Sequence, residues 1–238
     1  MIVTEIVPRT LDAVDASTDE ARAWLRTRYA REDAAYVRLN MITSLTGSAS
    51  GADGTSETLT NRVDRRILGV IRAEADVVLV GAQSVRAEGY VVPRSVRLAI
   101  VTSSGDLAGH RLRLEQGATP GRVILVCPQR RADELAESTR SLGVQVLGVP
   151  GSERLQPGAI VAALRGRGLT RIVCEGGPSL ASQFANAGLI DEFCVTVAPA
   201  LEPVDKPFVR LAERAAAEVA GHLVDEAGFS YLRLRALR

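Results

Sequence analysis

The 238-residue chain is poor in aromatic side chains, which make up 4% of it and include a single Trp. Its core must therefore be built from Val, Leu, Ile and Ala, and the 46% hydrophobic content is ample for that. Lysine is nearly missing: Lys206 is the only one, and arginine carries almost all the positive charge. With a formal net charge of +1 there is no broad field to attract DNA, RNA or an anionic membrane, so neither nucleic acid nor membrane is an expected partner. Cysteine is scarce and odd in number. Cys127, Cys174 and Cys194 lie in apolar runs without CxxC spacing and read as buried thiols in a reducing cytosol. His110 and His222 are too isolated for a zinc pattern, and they offer no Ser-His-Asp or Cys-His set, so no metal is expected. No stretch approaches the ~20 apolar residues of a membrane span, and no long apolar region opens the chain as in a signal peptide. The expectation is a soluble, cytoplasmic protein.

What the chain does contain is alternation. Short apolar runs, "DVVLVG", "RLAIVTSSG" (97–105), "GRVILVC" (121–127), "VQVLGVP", "RIVCEGG" and "LIDEFCVTVAPAL", read as strands, as does "AYVRLNMI" (35–42). Between them lie helical patterns: "DEARAWLRTRYA" with a capping-box start at Ser17 or Thr18, "NRVDRRILGVIRAEA" with Val63, Ile67, Val70 and Ile71 on one face, a short "AQSVRAEGY" stopped by Gly89, "RADELAESTRSLG" and "AIVAALRGRG". The terminal "FSYLRLRAL" alternates strictly and predicts an antiparallel strand. This is an α/β pattern: a mostly parallel central sheet flanked by helices, with an antiparallel C-terminal strand. One domain over 1–238 is expected, with residues 1–16 a loose lead-in and "ALEPVDKPF" (200–208) a loop rather than a linker. "TSLTGSASGADGTSET" (43–58) is a long Ser/Thr/Gly loop, and loops of that length inside a domain tend to be functional.

In open α/β sheets, ligands collect beyond the carboxyl ends of the strands, where helix N-termini point. Three strand ends here carry small or hydroxylic residues: Gly81-Ala82-Gln83-Ser84, Thr102-Ser103-Ser104-Gly105 and Gly176-Gly177-Pro178-Ser179. Glycine lets backbone approach an anion, hydroxyls donate hydrogen bonds, and Pro178 suits a first helical turn. Together they point to a dinucleotide or other phosphorylated ligand, although the Rossmann and P-loop fingerprints are both absent.

Two blocks in order, "SLTG…DGTSETLTNRVDRRILGVIRAEADVVLVGAQSVRAEGY" and "CEGGPSLASQFANAGLIDEFCVTVAPAL", resemble the reductase domain of riboflavin biosynthesis, a member of the dihydrofolate reductase-like superfamily. The resemblance runs from about Val37 to Leu201. It implies a dihydrofolate reductase-like fold, a homodimer, and an NADPH-dependent oxidoreductase that reduces the ribosyl group of a pyrimidine phosphate to a ribityl chain. By the same resemblance Gly81, Ala82 and Ser84 match the turn that holds the cofactor pyrophosphate, and Thr102 and Ser103 the strand end beside the adenosine 2′-phosphate. Gly176, Gly177, Pro178, Ser179 and Leu180 match the turn and helix on the nicotinamide side. Ile42, Thr58 and Glu88 match further cofactor contacts. Asn40, Ser44, Ser56, Arg72 and Glu175 match substrate-facing positions.

Departures accompany the matches. The family's "SLDG" is Ser44-Leu45-Thr46-Gly47 here, Asn40 replaces a usual lysine, and "GYVVPRSVR" replaces a segment that grips the substrate phosphate, leaving Arg94 and Arg97 as possible cations. Asp64 reads either as a helix-surface acid or as a crevice acid. The proton donor is open between Asp64, Glu175 and water. Reduction of dihydrofolate, or an idle NADPH-binding homologue, are the rival readings, so the expected substrate is a pyrimidine or pterin-like small molecule.

Overall fold

Short apolar strands and amphipathic helices build a main sheet whose parallel half is covered on both faces. The computed structural model describes residues 1–237 except 107, 115, 141, 152 and 153, and except the side chains of 138 and 140. In chain order its elements are β1 (Ile2–Val7), β2 (Ala13–Asp15), α1 (Glu20–Tyr29), β3 (Tyr36–Ser44), α2 (Arg62–Ala73), β4 (Val77–Gly81), α3 (Ala82–Glu88), β5 (Val91–Val92), β6 (Arg97–Val101) and β7 (Arg113–Leu114). They continue as β8 (Val123–Pro128), α4 (Gln129–Arg140), β9 (Gln145–Val149), α5 (Pro157–Arg165), β10 (Arg171–Gly176), α6 (Pro178–Asn186), β11 (Glu192–Ala198), β12 (Ala217–Asp225) and β13 (Ser230–Ala236).

Eleven strands form the main sheet in the order β2-β1-β12-β13-β11-β3-β10-β4-β6-β8-β9. From β11 to β9 every pairing is parallel, and from β11 outward through β13, β12, β1 and β2 every pairing is antiparallel. In the parallel half both faces are buried, which is why its strands read as unbroken apolar runs. Along β4, Val78 and Val80 pack with Val63, Ile67 and Ile71 of α2, while Val77 and Leu79 join the opposite core with Ile160, Leu164 and Phe184 of α5 and α6.

Helix starts follow local chemistry. Asn61 caps α2 by accepting the Asp64 N–H at 2.8 Å. The expected capping box of α1 is only partial: Asp19 is the cap residue without a side-chain bond, and the Thr18 hydroxyl accepts the Ala21 N–H at 3.3 Å.

Two features differ from the sequence expectation. The lead-in is not loose, because Val3 to Val7 pair with β12 and Ile2 to Thr4 with β2. Strand β12 has no counterpart in the predicted elements. Its first residues are exposed and its register breaks between Val219 and Gly221, so no clean alternation marks it.

A charged cluster lies where the parallel and antiparallel halves meet. Arg38 of β3 is fully buried and donates Nε to Glu192 Oε2 at 2.6 Å and Nη2 to the Tyr29 carbonyl at 2.8 Å. Arg233 of β13 donates to Glu192 Oε1 at 2.7 Å. Burial pushes the Glu192 carboxyl up, but the two guanidinium groups outweigh it and hold it below its ordinary range.

Candidate active site

The carboxyl ends of β3, β4 and β10 meet beneath the loop 43–58, and two cavities open there. The first, a crevice of about 470 Å³, is lined by Asn40, Ile42, Ser56, Asp64, Arg72, Glu88, Tyr90 and Glu175 among others. The second, a cleft of about 600 Å³, is lined by Gly81, Ser84, Gly177, Pro178, Ser179, Leu180 and Gln183, with Lys206 and Arg210 on its rim. Ala49, Ser84, Glu88, Gly177 and Pro178 border both.

The glycine pair after Glu175 has two separate causes. Gly176 has φ +79°, a left-handed conformation that side chains rarely adopt. At Gly177 the constraint is space, because an added Cβ would lie 2.5 Å from Ser84 Oγ. Ser84 Oγ accepts the Gly177 N–H at 3.0 Å, so one hydrogen bond ties the first turn of α3 to the entrance of α6. Pro178 then opens α6 without sacrificing an intrahelical bond.

Glu175 is engaged by its own protein. Arg72 donates Nε to Oε1 at 2.7 Å and Nη2 to Oε2 at 2.6 Å, a two-pronged pairing. The Tyr90 hydroxyl donates to the same Oε2 and accepts from Arg72 Nη2 at 2.5 Å. The guanidinium carbon of Arg72 lies 5.2 Å from the Tyr90 ring centroid. Glu175 thus fixes Arg72 and Tyr90 at the crevice wall instead of presenting a bare carboxylate. Tyr90 was not singled out from the sequence. Its signal was an aromatic residue, rare in this chain, next to the Gly89 helix stop.

Asp64 belongs to the crevice, not to an outer helix surface. Its Oδ1 accepts the Thr196 hydroxyl and its Oδ2 the Thr60 hydroxyl, both at 2.6 Å. Burial pushes its carboxyl above the ordinary range, against the pull of those two hydroxyls and Arg65 and with a further push from Glu175.

Other expected positions divide. Ile42 and Asn40 line the crevice, and Ser56 does so while donating to Glu88 Oε2 at 3.0 Å. Ser44, Thr58, Ala82, Thr102, Ser103 and Gly176 border neither cavity. Ser44 is buried and organises its own turn, with Oγ 2.8 Å from Thr46 Oγ1 and accepting the Ser48 N–H at 3.0 Å. Thr58 bonds Asp53, Ala82 is buried, and Thr102 Oγ1 accepts the Gly105 N–H at 3.2 Å. Arg94 and Arg97 also border neither cavity.

The rim was half anticipated. Loop 43–58 is strapped to segment 200–208: the Ala49 N–H bonds the Lys206 carbonyl at 2.7 Å, the Phe208 N–H bonds the Gly47 carbonyl at 3.1 Å, and Lys206 Nζ donates to the Gly54 carbonyl at 3.0 Å. This brings Lys206 and Arg210 to the cleft, although the sequence marked neither.

Among the described residues no His/Cys/Asp/Glu group could hold a metal ion, and no helix is long and apolar enough to cross a membrane. The three cysteines are buried and unbridged; burial pushes the Cys174 and Cys194 thiols up to about 12 and the Cys127 thiol to about 11.

Known proteins resemble this architecture. A model of the RibD C-terminal domain matches residues 35–201. The chain is 26% identical over 174 residues to a 2,5-diamino-6-ribosylamino-4(3H)-pyrimidinone 5′-phosphate reductase of Methanothermobacter thermautotrophicus, covering 69% of this chain and 77% of that protein. It is 30% identical over 184 residues to the riboflavin biosynthesis protein RibD of Mycobacterium tuberculosis, covering 76% of this chain but 46% of that protein, so the chain spans about half the length of that bacterial relative. In structure it is similar to a pyrimidine reductase-like protein of Corynebacterium diphtheriae, with a TM-score of 0.67, 23% identity, and 86% and 92% of the two chains covered, a likeness of fold.

Proposed function

The chain belongs to the RibD C-terminal domain family, and from that premise we propose that it is an NADPH-dependent oxidoreductase of the riboflavin-biosynthesis type that reduces the ribosylamino group of a pyrimidine. The observation that carries this reading is the shared wall: a cleft with cationic rim residues and a crevice with polar acids meet at Ser84, Gly177 and Pro178. A dinucleotide in one cavity and a heterocycle in the other would touch across that seam.

The residues present fit the cofactor. Gly81 leaves strand-end backbone bare, with only the Gly176 carbonyl, at 3.7 Å, near an added Cβ. Ser179 and Gln183 lie on the first turns of α6, and Lys206 and Arg210 oppose phosphate charge from the rim. When bound, NADPH supplies the hydride. The protein's task is to hold donor and acceptor together and keep water out, which explains a site without a nucleophile–base pair. Asp64 keeps its proton to a higher pH than an ordinary carboxyl and is the proton source in this reading. Arg72, locked by Glu175 and Tyr90, orients the pyrimidine. The homodimer implied by the family belongs to the same proposal.

Fluorescence titration with NADPH and NADH tests the cofactor, and near-ultraviolet absorbance during incubation with a ribosylaminopyrimidine or with dihydrofolate tests the reaction. Preferred NADPH binding and oxidation with the ribosylaminopyrimidine are expected. No NADPH binding, or oxidation with dihydrofolate alone, overturns the reading.

A further inference from the structure

Lys206 is the only lysine of the chain, and it lines the cleft. Its carbonyl accepts the Ala49 N–H at 2.7 Å, and its Nζ reaches back to the Gly54 carbonyl of the same loop at 3.0 Å. One residue thus grips loop 43–58 at two points. Gly54 lines the cleft itself and has φ +76°, so the turn that offers this carbonyl would strain a residue with a side chain. Two residues farther on, the loop changes cavities. Ser56 lines the crevice but not the cleft, and its hydroxyl donates to Glu88 Oε2 at 3.0 Å. Glu88 borders both cavities. Burial pushes its carboxyl up, while Ser56 and the charge of Lys206 pull it down. The two grips on the loop therefore converge on one acid at the shared wall.

An ammonium group has three N–H donors, so Lys206 can hold the Gly54 carbonyl and a phosphate oxygen together. Left to itself the side chain is exposed, and fixing it costs rotamer freedom. A charge-assisted bond to phosphate offsets that cost, and a second ligand then meets a loop already ordered. Resting on the reductase reading, we propose that Lys206 couples the two cavities: a cofactor phosphate fixes its ammonium group, the ammonium group fixes Gly54, and the loop so held sets Ser56 against Glu88 at the crevice wall. A ligand in the cleft then tightens binding in the crevice, and the reverse effect has the same size by thermodynamic reciprocity. Arg210 brings positive charge to the cleft without this link, because its backbone bonds Ser182 and Asn186 of α6.

The test is calorimetric titration of the protein with NADP⁺ and with a ribosylaminopyrimidine 5′-phosphate, each alone and each with the other present. The oxidised cofactor prevents turnover. Each ligand should bind about fivefold or more tightly when the other is bound. Lys206→Ala should weaken NADP⁺ binding and erase that factor, whereas Arg210→Ala should weaken NADP⁺ binding and keep it. Ser56→Ala should leave the affinity for NADP⁺ alone unchanged and shrink the factor. In the unaltered protein an amine-reactive reagent, followed by mass spectrometry, distinguishes Lys206 from the N-terminal amine. NADP⁺ should slow modification of Lys206, and so should the pyrimidine alone, although Lys206 does not line the crevice. Absent coupling, coupling that survives Lys206→Ala, equal loss in Arg210→Ala, or labelling indifferent to the pyrimidine overturns the proposal and leaves the reductase reading standing. Failure of NADP⁺ to bind overturns both.

Discussion

Two arginine–glutamate pairs, one between strands β3 and β11 and one between helix α2 and strand β10, serve opposite ends. Arg38 and Glu192, at 2.6 Å, have side chains 0% and 1% exposed, and the remaining groups around them are protein: Arg233 and the Tyr29 carbonyl. Arg72 and Glu175, also at 2.6 Å, are 22% and 8% exposed and end at a cavity wall with Tyr90. Distance does not tell a structural pair from a site pair. Surroundings do, because a pair enclosed by protein can act only on the fold, while one that borders a cavity can act on whatever enters.

The sharpest break of this comparison is Glu192→Leu. It strands two guanidinium groups in the interior and should cost about 3–5 kcal/mol, read as a lower midpoint in chemical denaturation. Because the folded Glu192 carboxyl is held below its ordinary value of 4.5, its contribution is present above that pH and is lost as pH falls through the lower folded value. Glu192→Gln should therefore flatten the acid limb of the stability curve, and an unchanged limb would show that the pair is not the source. Glu175→Gln should invert the pattern, with turnover falling about a hundredfold through misplacement of Arg72 and the denaturation midpoint moving far less than in Glu192→Leu. A large stability loss without a kinetic one would make the two pairs alike.

Asp64→Asn should lower turnover about tenfold or more and erase the alkaline limb of the wild-type kcat profile. If Asp64 delivers the proton, wild-type activity should fall as pH rises through its raised carboxyl value, where the proton departs. An unchanged profile would remove Asp64 from proton delivery. The mildest change is Ser84→Ala, which deletes the hydroxyl that receives the Gly177 N–H. If NADPH occupies the cleft, its affinity should fall about fivefold, near 1 kcal/mol, in fluorescence titration, and an effect on substrate KM alone would count against a cofactor there.

Much of this arrangement was legible before the fold was known, and the limits have physical causes. The parallel strands were readable because burial on both faces leaves continuous apolar runs such as Val77–Gly81. The glycine turn was readable for the same local reason: a positive φ at Gly176 and a missing Cβ at Gly177 leave a mark in residue type. Pairings across the sheet leave none. Glu175 stood out as a carboxylate at a strand end, but its partner Arg72 is 103 residues away, and nothing local joins Tyr90 to either. Arg38 was hidden within an otherwise apolar strand, its counter-ion 154 residues on. Strand β12 escaped because its first three residues are exposed and its register slips before Gly221. Hydroxyl-rich strand ends do not all reach the cavities, since Thr102 and Ser44 engage their oxygens in their own turns.

The strap between the two rim segments also bears on how this chain tolerates change in length. A sixteen-residue stretch rich in Ser, Thr and Gly would ordinarily be an inviting place for insertions or deletions. Here Gly47 and Ala49 are stitched by backbone bonds to Phe208 and Lys206, and an isolated bridge pairs Ser48 with Pro207. Adding one residue between Ser44 and Ser50 would shift that stitching out of step and draw Lys206 away from the cleft. In this part of the molecule register, not composition, is what restricts the sequence.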